Sequence, residues 1–224
     1  MWVSEREPTS PKGDVNRRSL RAVAGIFLPS PSTLELRLIM PKERALFLID
    51  GSNFYYALQE AGLKKGDIDY RQLALHLARN REVVAIRFFI CPVLPAGSPQ
   101  AKDQQRFFSA LRRQGVTIRL GTLVKRSRTC PSCGAVQGYR MEKGVDVLLA
   151  MDMVSGAIED KYDVVYLVSC DADFAPVVEY VRVRGKKVFL VAPKGAKYGS
   201  LGNSCDVAIP IDQKVINACQ GNDS

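Results

Sequence analysis

The chain of 224 residues contains one histidine, His76, in the stretch YRQLALHLARN, where it reads as a structural surface or boundary residue. Chemistry that rests on a Ser-His or Cys-His pair is therefore disfavoured. Long apolar runs are missing too, since none approaches the roughly 18–20 residues that a membrane span needs. Glu5, Glu7 and Asp14 interrupt the basic residues of the N-terminus, and no apolar stretch of secretory type follows them. The expected location is cytoplasmic. No G-x-G-x-x-G follows the first apolar run, which argues against a dinucleotide enzyme. The six cysteines, at 91, 130, 133, 170, 205 and 219, do not have the spacing of a small secreted disulfide framework.

The composition, 46% hydrophobic and 25% charged, fits one ordinary globular domain. The formal charge is +9, of which residues 1–40 hold only +2 from six Lys/Arg and four Asp/Glu. An excess of basic charge around an acidic site points to a polyanionic partner, most simply nucleic acid; solubility is the bland alternative.

Residues 1–40, with Pro8, Pro11, Pro29 and Pro31 and no sustained periodicity, read as a disordered head. Met40 is an alternative start. From Arg44 onward, strand and helix patterns alternate through ALFLID, 53–61, a helix capped by Asp69, VVAIRFFI, 101–114, VTIRLGTLV, 145–158, DVVYLVS, 174–184, KVFLVAP and DVAIPI. This alternation predicts an α/β domain over 41–213 with a central, mostly parallel sheet. Residues 122–140 read as an inserted hairpin or knuckle, and 214–224 as a frayed tail. In the helix at 145–158, Val147, Leu148, Met151, Val154 and Ile158 recur at helical spacing.

Two apolar runs end in carboxylate, ALFLI at Asp50 and DVVYLVS shortly before Asp171 and Asp173. Ligands of parallel sheets bind beyond the carboxyl ends of the strands, so these acids are expected to converge there. Asp146 opens a helix after Lys143-Gly144-Val145 and is a fourth candidate. Like charges gathered in this way suit a hard cation such as Mg²⁺ or Mn²⁺. Asn53, three residues after Asp50, could orient a phosphate or cap the helix; Asp152 is too far round its helix to join the set. Cys130-Pro-Ser-Cys133-Gly resembles half of a zinc knuckle, with Cys91, a neighbouring subunit or a metal-free knuckle as the alternatives; a redox C-x-x-C is disfavoured because the motif does not open a helix after a strand. Arg112-Arg113, Lys125-Arg126-Ser127-Arg128 and Lys186-Lys187 are candidates for phosphate contacts, with Lys143, Arg140 or Lys194 balancing charge near the site. Of Tyr55 and Tyr56, one could stack on a base and at least one is expected in the core.

IDGSN, KGVDVLLAMDM and LVSCDADFAPVVEYVRVRGKKVFLVAP together resemble the NYN domain, the LabA-like or DUF88 branch of PIN-like nucleases. The resemblance implies a PIN-like three-layer α/β sandwich. It also implies an endoribonuclease, a hydrolase of RNA phosphodiester bonds, with Asp50, Asp146, Asp171 and Asp173 as Mg²⁺ or Mn²⁺ ligands and Asn53 shaping the site. RNA is the implied partner, with a homodimer or a regulatory protein as further possibilities. Cys170 departs from the family, which usually has Gly there. The competing readings are a catalytically weak nucleic-acid-binding module of the same fold and a phosphatase, although Asp50-Gly-Ser-Asn lacks the second Asp of the aspartyl-phosphate type.

If residues 1–40 carry no part of the fold, a chain beginning at Met40 is expected to melt within a few degrees of the full one in calorimetry.

Overall fold

The computed structural model describes residues 41–64, 68–93 and 97–221; the expected head lies outside them. The apolar run after Lys42 becomes β1 (Arg44–Asp50), which passes directly into α1 (Gly51–Glu60) and then α2 (Tyr70–Ala78). β2 (Glu82–Ile90), α3 (Pro99–Arg113) and β3 (Thr117–Leu120) follow. A hairpin of β4 (Thr122–Thr129) and β5 (Val136–Lys143) leads into α4 (Val145–Ile158). The chain continues through β6 (Val164–Val168), α5 (Ala175–Val183), β7 (Lys187–Pro193), α6 (Leu201–Ser204), β8 (Val207–Ile211) and α7 (Gln213–Ala218).

Six strands form one sheet in the order β3-β2-β1-β6-β7-β8, and every neighbouring pair is parallel. Helices cover both faces, which is why the central strands are apolar throughout rather than alternating. Ala45, Phe47 and Ile49 face α1, α2, α3 and α7, while Leu46 and Leu48 face α4, α5 and α6. The Phe47 and Tyr166 rings stack at 4.2 Å across β1 and β6, and the Tyr166 hydroxyl donates to the Leu77 carbonyl at 3.2 Å. The result is the α/β domain with a parallel sheet that the alternation predicted, with helices on both faces, consistent with the PIN-like fold that the resemblance implied.

The expected third strand divides at Gly121. A Cβ there would lie 2.7 Å from a Val145 methyl and 2.9 Å from the Cys91 sulfur, so only glycine lets the chain leave the sheet at this point. Beyond it the hairpin forms its own two-stranded sheet over 122–143.

α4 buries a different face from the one its spacing suggested. Val147, Met151 and Ile158 are exposed, whereas Val145, Leu149, Met153, Gly156 and Ala157 are buried. The helix is apolar nearly all round, so periodicity alone offers two stripes. Close approach decides between them: a Cβ at Gly156 would meet the Tyr162 ring at 2.9 Å, and the Tyr162 hydroxyl donates to the Met153 carbonyl at 2.8 Å.

The C-terminal stretch differs from a frayed tail. Asp212 caps α7 by accepting from the Lys214 and Val215 N–H groups at 3.0 and 3.1 Å, Ile216 and Cys219 are buried, and Gln220 bridges to Ile68. A capping Asp followed by apolar residues at helical spacing supplies the cause. At the outer edge of the sheet, β8 carries Pro210 opposite Ala192.

Gly51 sits where β1 turns into α1. A Cβ there would lie 2.3 and 2.7 Å from ring carbons of Phe88, which is itself buried and packed edge-on against Tyr70 and Phe107. Because the ring has little room to give, Gly51→Ala is expected to cost about 1–3 kcal/mol of stability in chemical denaturation.

Candidate active site

The strand order reverses direction at β1. β2 and β3 lie on one side of it and β6, β7 and β8 on the other. In an open α/β sheet the crevice beyond the carboxyl ends at such a point is where ligands bind. The parallel register pairs Ile49 with Val168, which sets Asp50 beside Ser169.

Asp50 is 4% exposed and does two things at once. One carboxylate oxygen accepts from the Asn53 N–H at 3.1 Å, capping α1, and the other accepts from the Ser169 hydroxyl at 3.4 Å. The Asn53 side-chain oxygen accepts from the Cys170 N–H at 2.7 Å, tying α1 to the exit of β6. Ser169 in turn accepts from the Asp171 N–H at 3.1 Å, and Asp171 accepts from the Asp173 N–H at 2.9 Å. Capping and site formation, alternatives in the sequence, are thus one hydrogen-bonded chain. The acids step outward, with Asp50 buried, Asp171 half-buried, and Asp146 and Asp173 exposed.

Burial pushes the Asp50 carboxyl up to about 6, and the charges of Asp146 and Asp171 push the same way against the Asn53 and Ser169 hydrogen bonds. Asp146 is raised as well, by burial first and then by Asp171 and Asp173. The four acids therefore share one electrostatic neighbourhood despite their separation in sequence. They do not close on a point: among the described residues, no three His, Cys, Asp or Glu side chains are grouped so as to hold a metal. The donors are all carboxylate oxygens, and their mutual repulsion is the kind a hard divalent cation relieves, so the donor chemistry fits Mg²⁺ or Mn²⁺.

Two nearby residues carried no role in the sequence reading. Ser169 is fully buried between Asp50 and Asp171, and its place directly before Cys170-Asp171 at a strand end was the available signal. Glu142 accepts from the Ser52 hydroxyl at 3.2 Å, joining the hairpin to the start of α1. Nothing in the local pattern marks Glu142, because the hairpin's direction sets its position. Cys170 takes an ordinary backbone conformation, so the glycine usual in the family is not required; burial, Glu60 and Asp50 raise its thiol to about 11.

Other expectations resolve differently. Asp152 is held by Arg87 and Arg119 at 3.0 and 3.1 Å, away from the acidic edge. Lys186 pairs with Asp160 and Lys187 with Glu43, at the amino end of β7, so both are spent on the fold. Tyr55 is half-buried and Tyr56 is 62% exposed, leaving the core position on α1 to Phe54. Cys91 is buried at the hairpin's root, its thiol donating to the Thr122 carbonyl at 3.6 Å. At about 3.3 Å per residue, the eight residues of β4 carry Cys130 more than about 20 Å away, so Cys91 cannot share one ion with Cys130 and Cys133 within one chain.

A parallel sheet flanked on both faces, with acids beyond its strand ends at the switch point, is consistent with a PIN-like α/β domain. The chain belongs to the NYN domain family, whose model matches residues 44–212. This family is in general one of nuclease-like, nucleic-acid-binding domains. The low amplitude and bright protein LabA of Synechococcus elongatus is 27% identical over 172 residues, 77% of this chain and 85% of that one. A crystal structure of a Vibrio parahaemolyticus protein of unknown function superposes with a TM-score of 0.58 at 27% identity, covering 76% of this chain and 94% of the other.

The raised Asp50 carboxyl makes a signed prediction for metal-free protein. The folded state prefers the protonated form, so this contribution to stability is complete below pH 3.8 and is lost as pH rises through about 6. Asn keeps the cap but cannot ionise. Asp50→Asn is expected to match the wild type near pH 4 and to exceed it by on the order of 2–3 kcal/mol near pH 8, read by denaturation with chelator present.

Proposed function

We propose that this protein is a metal-dependent endoribonuclease, with Mg²⁺ or Mn²⁺ held by Asp50, Asp146, Asp171 and Asp173. The observation that carries the reading is the hydrogen-bonded chain from Asp50 through Ser169 to Asp171 and Asp173 at the switch-point crevice, with Asp146 close by. Bound there, a divalent ion supplies Lewis acidity toward a phosphodiester. The chain's own residues prepare the ground. Ser169 holds the Asp50 oxygen facing β6, and Asp50 releases its proton at about pH 6, so it is ionised at neutral pH. Asn53, with its oxygen engaged by Cys170, has its amide NH₂ to offer a phosphate oxygen.

The hairpin offers a surface for the polyanion. Pairing of Arg126 with Tyr139 and of Thr122 with Lys143 places Arg126, Arg128, Tyr139 and Lys143 on one face of the ribbon, which leaves the sheet at its carboxyl edge. Cations interleaved with an aromatic ring suit a single-stranded backbone and its bases.

A second reading, a nucleic-acid-binding module that does not cleave, is favoured by the absence of any tight three-acid group among the described residues. Assays on an RNA panel with Mg²⁺, Mn²⁺ or EDTA separate the two. Asp50→Asn and Asp171→Asn each keep a cap and remove a charge. Each is expected to reduce metal-dependent cleavage by at least the roughly 10–100-fold that losing even an outer partner of a metal ligand costs. Full cleavage by both variants, with contaminating nuclease excluded, defeats the proposal; RNA binding without cleavage by the wild type establishes the second reading.

A further inference from the structure

The tip of the hairpin carries two cysteines in a tight turn, the pattern of half a zinc knuckle. Pro131 and Ser132 turn the chain, Gly134 takes the left-handed conformation at φ +69°, and the Gly134 N–H donates to the Cys130 carbonyl at 2.9 Å. The Cys130 N–H closes the turn on the Ala135 carbonyl at 2.8 Å. The Ser132 and Cys133 N–H groups and the Cys133 thiol lie near enough to the Cys130 sulfur to favour its thiolate. A turn that gathers backbone N–H groups near one sulfur and brings a second alongside fits thiolate ligation of a single ion. Both cysteines are free thiols, and Cys133 is exposed.

The hairpin has reason to need such a clip. Every residue from Lys125 to Thr129 and from Val136 to Lys143 is exposed, so packing against the domain does not hold this ribbon in shape. An isolated two-stranded hairpin is marginal in water at best.

Zinc in a structural site takes four ligands, and the described residues bring two to the tip. Cys91 is at the root, His76 lies on α2, and the one acid of the hairpin, Glu142, is next to last in β5. A second copy supplies an identical pair by two-fold symmetry, which matches the half-sites without any further feature. We infer that two copies of this chain join through their hairpin tips by sharing one Zn²⁺ between Cys130 and Cys133 of each.

The step balances as ligand exchange without redox change: four thiols give four protons to water, and their sulfurs replace the waters of one Zn²⁺. The product carries two negative charges. It would sit between two ribbons, each holding Lys125, Arg126, Arg128, Arg140 and Lys143 against the single acid Glu142. Without the ion, two such cationic tips repel; with it, the tetrathiolate offsets part of that charge. Pairing would also present two basic ribbons to one polyanion.

The inference is independent of the nuclease reading, and the experiment keeps the two apart. Full-length protein prepared without chelator is examined by metal analysis and sedimentation equilibrium. The expected result is one zinc per two chains in a dimer that becomes monomer when zinc is stripped. Cys130→Ser and Cys133→Ser are each expected to lose both zinc and dimer while keeping the melting transition, because the tip lies outside the core. Asp171→Asn is expected to keep both, which separates this site from the acidic edge. Titration of metal-free wild type with Co²⁺ needs no variant and should develop tetrathiolate absorption that saturates at one ion per two chains. One zinc per chain in a monomer, protein free of zinc after growth in zinc, or a dimer indifferent to chelator and to both substitutions would each overturn it.

Discussion

The pairing of β1 with β6 holds the rest of the arrangement in place. Parallel strands can slide in register, and here Ile49 against Val168 fixes Asp50 beside Ser169. A slip of one residue would turn the Asp50 side chain to the other face and put Phe47 and Ile49 on the wrong side of the core. Burial of Phe47, Tyr166, Leu48 and Leu167 therefore does more than stabilise the domain, because the same packing that fixes the register places a carboxylate where water is scarce. The Asp50 cost of ionising is set by core packing, and Asp146 and Asp171 add to it.

This division explains what could be read from the sequence. The strand ends were legible because buried parallel strands are apolar throughout and stop visibly at Asp50 and at Ser169-Cys170-Asp171. That the acids gather at one edge follows from the same rule about strand ends. Ser169 and Glu142 were not legible, since each owes its role to a neighbour far away in sequence, Asp50 for one and Ser52 for the other. The buried face of α4 is hidden from periodicity for a related reason: a helix apolar on both sides is oriented by its small residues, and Gly156 acts only when Tyr162 is opposite it.

The charges likewise divide by location rather than by sequence clustering. Lys186 and Lys187 look like a phosphate-binding pair, but Asp160 and Glu43 hold them at the amino end of the strands. Arg87 and Arg119 serve Asp152. The hairpin cations, by contrast, rise from the carboxyl edge on a ribbon joined to the acidic crevice through Glu142 and Ser52. The basic ribbon and the acidic crevice are thus neighbours on one edge, while Lys186, Lys187, Arg87 and Arg119 pair within the fold.

Pro210 has a consequence for how this domain avoids its own kind. A proline in an edge strand offers no N–H to an incoming strand, and β8 is the outer strand on that side. On the opposite side β3 is only four residues long, too brief to template much pairing. Both borders of the sheet are thereby closed to the strand-by-strand growth that leads to fibrils. Long exposed backbone remains on the hairpin, where Lys125, Arg126 and Arg128 act as gatekeepers: a chain in extension would have to stack like charges to continue the ribbon.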